Sequence, residues 1–193
     1  MTGADGEVDT LILGIGNVLW ADEGFGVRCV EAMNARYRFG DHVRLMDGGT
    51  QGLFLLPWVS QVSRVLIFDA IDFGLEPGTL RVIRDADVPQ YMGAKKVSMH
   101  QTGFQEVLVS AHLLRDTPQQ LALIGVQPEQ LDDYGGSLRD CTRERIPEAL
   151  SCACAVLEDW GVSISERDSP LQSAERVGPP ELDMRVYELE RPL

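Results

Sequence analysis

The stretch "SRVLIFDAID", residues 63–72, limits the possible folds more than any other part of the chain. A half-buried strand alternates apolar and polar residues, and this one does not. A short continuous apolar run that stops at acids reads as a central parallel strand covered on both faces. Such a strand needs a helical layer on each side.

The rest of the chain supplies those layers. Residues 9–16 read as a first strand ending at glycines, and residues 23–37 as a helix with Val27, Val30, Ala32 and Met33 near one face. "HVRLMD", 42–47, is a second strand closed by Gly48 and Gly49. "GLFLLPWVS" is a short helix limited by Pro57, and the third strand ends near Asp69. "TLRVIR", 79–84, follows after too few residues for a parallel crossover, which predicts an antiparallel edge strand. A helix over 102–114, a strand over 121–126 and a helix over 140–160, with a bend at Pro147, complete the pattern.

The fold class is α/β, with helices on both faces of a twisted, mostly parallel sheet. Right-handed crossovers place the second and third strands on either side of the first, and ligands then bind at the carboxyl ends of the first and third. The domain is expected over residues 8–163. Residues 164–193, rich in charge, Ser and Pro, read as an acidic and mostly irregular tail, although "LDMRVYEL" has the apolar residues to dock.

Thirty acids against 17 Lys and Arg give a net charge of −13, which opposes nucleic-acid binding. A metal ion or a basic partner segment is better matched. No apolar run is long enough to span a bilayer, and the polar N-terminus does not read as a secretory signal, so a cytoplasmic protein without membrane insertion is expected. Cys29, Cys141, Cys152 and Cys154 form no C-x-x-C pair and read as buried free thiols.

"LGIGNVLWADEGFG" begins like a phosphate-binding turn. Gly14 and Gly16 fit a dinucleotide fingerprint, but Leu19 stands where its third glycine belongs. The acidic part carries more information. Asp22 and Glu23 open the first helix, where either can serve as a cap or favour the positive helix end. Asp69 ends a buried strand, a costly place for an unpartnered acid. His100 stands immediately before the 102–114 helix. Glu23, Asp69 and His100 therefore gather at the predicted crevice, a donor set suited to zinc or nickel with positions left open.

With "LGIGNVLWADEGFGVR", "DGGTQG" at 47–52, "FDAID" at 68–72, "SMHQTGFQEVL" at 98–108 and "LIGVQPE" at 123–129, the sequence resembles the [NiFe]-hydrogenase maturation proteases. The motifs occur in family order over about residues 10 to 160, and the tail lies outside the resemblance. The resemblance implies a three-layer αβα sandwich around a five-stranded sheet. It also implies an endopeptidase that trims a short C-terminal extension from the nickel-loaded hydrogenase large-subunit precursor. It places the metal-contacting and catalytic positions on Glu23, Asp69 and His100, and substrate recognition on Asp47, Gly48, Gly49 and Thr50.

No G-x-S-x-G elbow and no H-E-x-x-H helix is present. Cys29, within an amphipathic helix and lacking a base, is a poor nucleophile. A metal-assisted or aspartyl-type hydrolysis remains, in which the precursor's nickel is grasped by Glu23, Asp69 and His100, and one carboxylate acts as ligand or base. The expected protein is a monomer with no tightly bound metal of its own. Two other readings stay open: a self-contained zinc metallohydrolase, and a non-catalytic nickel-checkpoint chaperone of the precursor.

Overall fold

The computed structural model describes residues 8–89, 99–172 and 175–187, without the side chains of residues 99–103 and 185. Its centre is a five-stranded sheet of β1 (Thr10–Ile15), β3 (Val43–Gly49), β4 (Arg64–Ala70), β5 (Leu80–Arg84) and β6 (Gln120–Val126), in the order β3-β1-β4-β6-β5. The pairs β1–β3, β1–β4 and β4–β6 are parallel, and β5 runs antiparallel to β6 at the edge. The second and third predicted strands do flank the first, as right-handed crossovers require.

Alternation along β4 builds both layers. Leu66 and Phe68 face a core made with Phe25, Cys29, Val30 and Met33 of α1 (Phe25–Arg36). Ile146, Ala149, Leu150, Ala153 and Leu157 of a second helix join them; this helix spans Ile146–Asp159. Val65 and Ile67 face the opposite core, with Leu55, Val59, Phe104, Val107 and Leu108. These come from the turn Gly52–Leu55, from α2 (Leu56–Val59) and from α3 (Met99–Leu114). β4 is thus apolar throughout because it is covered twice.

Several boundaries differ from the sequence reading. The first helix is preceded by a 3-10 turn, Ala21–Gly24, so Glu23 sits before α1 rather than inside it. α3 starts at Met99, which places His100 in its first turn instead of ahead of it. The expected bent helix at 140–160 is two helices, α4 (Asp140–Arg143) and α5 (Ile146–Asp159). Pro147 falls in the first turn of α5, where its missing N–H costs nothing and its fixed φ favours a helix start. Only Cys29 of the four free cysteines is buried, and the others are partly exposed.

The tail holds more structure than its composition indicated. β7 (Ile164–Glu166) pairs antiparallel with β2 (Tyr37–Phe39), two three-residue strands with no local signature. Farther on come a 3-10 turn, Pro180–Leu182, and a single-turn helix α6 (Met184–Tyr187). Val177 and Met184 pack against the core on the α1 face.

Candidate active site

The site is built where β1 stops and the chain turns back into α1. Gly16 has φ 131°, and a Cβ there would stand 1.8 Å from the Glu23 carbonyl oxygen. That same oxygen accepts a hydrogen bond from the Asn17 N–H at 3.1 Å. Gly26 makes an equally close approach: a Cβ on it would meet the carbonyl oxygens of Ile15 and Phe68 at 2.2 Å. Backbone therefore packs directly on backbone, and the start of α1 is pressed against the ends of β1 and β4. Gly16 and Gly26 thus allow the tight turn that carries Glu23.

Asp22 was read as a helix cap, but neither the 21–24 turn nor α1 has a side-chain cap. Its carboxylate is 0% exposed and faces the loop after β6. Oδ2 accepts from the N–H groups of Glu129 at 2.8 Å and Gln130 at 2.9 Å, and Oδ1 from that of Arg139 at 2.8 Å. Backbone bonds from Ala21 N–H to Gly136 O and from Asp22 N–H to Gln130 O add to the seam. An edge-on contact of Trp20 with Tyr134, ring centroids 5.2 Å apart, closes it. Asp22 thus fixes the segment that carries Glu23. Sequence reasoning missed this role because an acid beside another acid at a helix start looks like a second cap.

Asp69 is the penultimate residue of β4 and is fully buried. Its Oδ1 accepts from the Ala70 N–H at 2.8 Å. Because it alternates with Phe68 and Ala70 of one core, it shares the face of Ile67 and Ile71, the face that α3 covers. His100, second residue of α3, lies in that same layer; its side chain is outside the described residues. Glu23 is half-buried at the top of β1 and β4. Among the described residues no three His, Cys, Asp or Glu side chains form a group able to hold a metal ion.

Asp47 stands apart from these residues. In register it is level with Gly14 of β1, which is level with Phe68 of β4. Its side chain therefore shares the α1 face with Phe68, whereas Asp69 projects from the other face. Two strand spacings, about 10 Å, also separate them across the sheet. Asp47 Oδ1 accepts from the Gly49 N–H at 2.9 Å. Burial raises its pKa above the usual carboxylate range, against the lowering effects of that N–H and of Arg28. The β1–β3 register slips after Asp47, so that Ile15 pairs with Gly49 and Gly48 becomes the extra residue. Gly48 is buried rather than open to an incoming peptide, while Thr50 is exposed.

A family model for HycI, hydrogenase maturation protease, matches residues 27–156. The hydrogenase expression/formation protein HupM of Azotobacter chroococcum mcd 1 is 54% identical over 192 residues, 100% of this chain and 90% of the relative. The chain belongs to the hydrogenase maturation protease family. The hydrogenase 2 maturation protease of Escherichia coli K12 is 38% identical over 160 residues, 82% of this chain and 96% of its own length. The solved structure of the hydrogenase maturating endopeptidase HybD from E. coli superposes with a TM-score of 0.79, covering 83% of this chain and 99% of that one.

For a maturation protease, an endopeptidase by family, the arrangement has clear chemical uses. A buried carboxylate at a strand end, a second carboxylate on an adjoining rigid turn and a histidine position in the covering helix layer offer hard and borderline donors. Gln127, 7% exposed, steadies the other wall. Its Oε1 accepts from the N–H groups of Phe73 and Leu75, and its Nε2 donates to Asp72 Oδ1. The chain after Asp69 is thereby tied to the end of β6.

Proposed function

We propose that this maturation protease removes a short C-terminal extension from the nickel-loaded [NiFe]-hydrogenase large-subunit precursor, with the precursor's nickel as the recognition element. The observation that carries the reading is the seating of Asp69 on the face covered by α3, at the strand end against which the Glu23 turn is packed. Glu23, Asp69 and His100 would add protein donors to a metal already held by the precursor. A carboxylate not engaged as a ligand would serve as general base toward water. Asp47, Gly49 and Thr50 would guide the substrate chain, with buried Gly48 only shaping the bulge that presents them. The family membership and the exposed Leu53 and Phe54, which follow this segment directly, support a partner arriving from that side. The protein acts as a monomer in the cytoplasm and keeps no metal of its own.

The test is to incubate the purified protein with nickel-loaded and nickel-free precursor and weigh the products by mass spectrometry. Shortening of the loaded precursor alone is expected. Cleavage of nickel-free precursor by a protein that elemental analysis shows to hold one metal per chain would instead establish a self-contained metallohydrolase, and retention without cleavage a chaperone. In the same assay Glu23→Ala, Asp69→Ala and His100→Ala are each expected to lower turnover by at least about a hundredfold. A variant that processes at the wild-type rate removes its residue from the site.

A further inference from the structure

Behind Asp47, on the α1 face, lies a second set of charged groups that the cleavage chemistry leaves unused. Arg28 of α1 is only 3% exposed. Its Nη1 pairs with Glu31 Oε2 at 2.9 Å and donates to the carbonyl oxygen of Leu182, and its guanidinium stands 5.9 Å from the centre of the Tyr187 ring. Leu182 and Tyr187 belong to the tail. Asn34, also buried, donates from Nδ2 to the Glu175 carbonyl at 2.7 Å, and Arg176 pairs with Asp183 at 2.6 Å within the tail. Between these anchors Gly178 passes beside two carboxylates: a Cβ there would lie 3.4 Å from Glu31 Oε1 and 3.6 Å from Asp47 Oδ2. The tail thus forms a wall next to Asp47.

We propose that residues 175–187 are a strap that, with Arg28 as positioning residue, sets the place of the Asp47 carboxylate and so determines specificity for the precursor chain at β3. This rests on the recognition role proposed for Asp47. Strap and α1 enclose Asp47 from the side away from Asp69, leaving its carboxylate to accept hydrogen bonds from N–H groups of an incoming segment. A buried guanidinium held by one carboxylate and one carbonyl is a fixed charge, because its fork cannot swing without losing a partner. Moving the strap moves that charge and re-solvates Asp47. A mere cover for α1 would need the apolar contacts of Val177 and Met184, and not a buried Arg28–Glu31 pair beside the Gly178 backbone that passes Asp47.

The full-length chain carries the test. A Cβ at Gly178 meets its neighbours at ordinary contact distance or nearly so, which makes Gly178→Ala the control and Gly178→Glu the probe. A third variant, Asn34→Ala with Arg176→Ala, loosens the strap without touching Arg28 or Asp47. Cleavage kinetics on nickel-loaded precursor are measured beside the carbon-13 resonance of the Asp47 carboxyl in the free protein. Gly178→Glu and the double variant are expected to raise KM roughly tenfold, with kcat within about twofold of wild type, and to shift the Asp47 resonance. Gly178→Ala is expected to change neither. An unmoved Asp47 resonance in the double variant, or wild-type KM in both Gly178→Glu and the double variant, overturns the strap. Failure of the wild type to cleave refutes the proposed function instead, and the resonance then decides the strap alone.

Discussion

Two carboxylates in this protein, Asp22 and Asp47, stand in opposite electrostatic settings. Asp22 is structural: it is buried and its carboxyl group accepts from three backbone N–H donors. Asp22→Ala removes the buried acceptor of three part-buried N–H groups, and at about 1–3 kcal/mol for each bond to a carboxyl group the loss approaches a large part of the total stability. Chemical denaturation is expected to show a drop of about 3 kcal/mol or more, and a drop below about 1 kcal/mol would mean that the 127–139 loop does not depend on this carboxylate. Asp47 shows the opposite balance. Burial raises its pKa, and burial likewise raises that of Glu31 despite the Arg28 partner. A carboxyl whose folded pKa is raised contributes stability fully below the ordinary carboxylate range and loses it as pH rises through the folded value. Asp47→Asn keeps an acceptor for the Gly49 N–H and avoids burying the charge. The melting temperature of the variant relative to wild type is therefore expected to be higher at pH 7 than at pH 4. A difference independent of pH would show that Asp47 is no more costly to ionise when folded. Only the placement of Asp69 near the end of its strand was legible directly, while Glu23 was read at a helix start and stands in the turn before it. Asp22 was not legible, because its partners lie 107 to 117 residues away and no local pattern announces a backbone seam.

At the scale of elements, what the sequence revealed tracks how local the cause is. β4 declared itself through continuous apolarity, and β5 through a connection too short for a parallel crossover. α3 was placed three residues late, and this moved His100 from a loop into a helix. The β2–β7 pair escaped notice because three-residue strands carry no usable period and owe their existence to each other. Gly26 escaped as well: inside a helical pattern it looks like a tolerated weakness, yet it is the contact point of α1 with two strands. Gly26→Ala would normally favour a helix by up to about 1 kcal/mol. Here the added methyl meets two backbone oxygens at 2.2 Å, and backbone cannot yield as a side chain can. We expect a net destabilisation of about 2 kcal/mol or more, read by thermal unfolding, together with loss of processing as the Glu23 turn lifts from β4. A more stable Gly26→Ala protein would show that α1 can ride outward freely.

Across the whole molecule, the two faces of one sheet carry two separate groups of polar residues. The face under α3 holds Asp69 and the layer of His100. The face under α1 holds Asp47 and the strap. No helix among the described residues is long and apolar enough to cross a membrane. The tail was read from composition as mostly irregular, and among its described residues only Ile164–Glu166, Pro180–Leu182 and Met184–Tyr187 form named elements. Composition cannot report that Arg167 donates from Nε to the carbonyls of Asn34 and Tyr37, or that Glu175 receives Asn34. Deleting residues 166–193 uncovers Arg28 and Asn34 together with the apolar flank beside them. The truncated chain is expected to unfold in a single transition with its melting temperature lowered by about 10 °C. An unchanged melting temperature would show the strap to be energetically neutral.

The strap also fixes an order of events. The Arg28–Leu182 bond spans 154 residues of chain and the Asn34–Glu175 bond 141, whereas α1 reaches β1 across a short turn. Contacts closed over such separations are expected to form after the sheet and its helices. On that order the Arg28 guanidinium stays in water until the wall beside Asp47 seals, and stopped-flow refolding of the wild type is expected to show a final phase that the 166–193 deletion lacks.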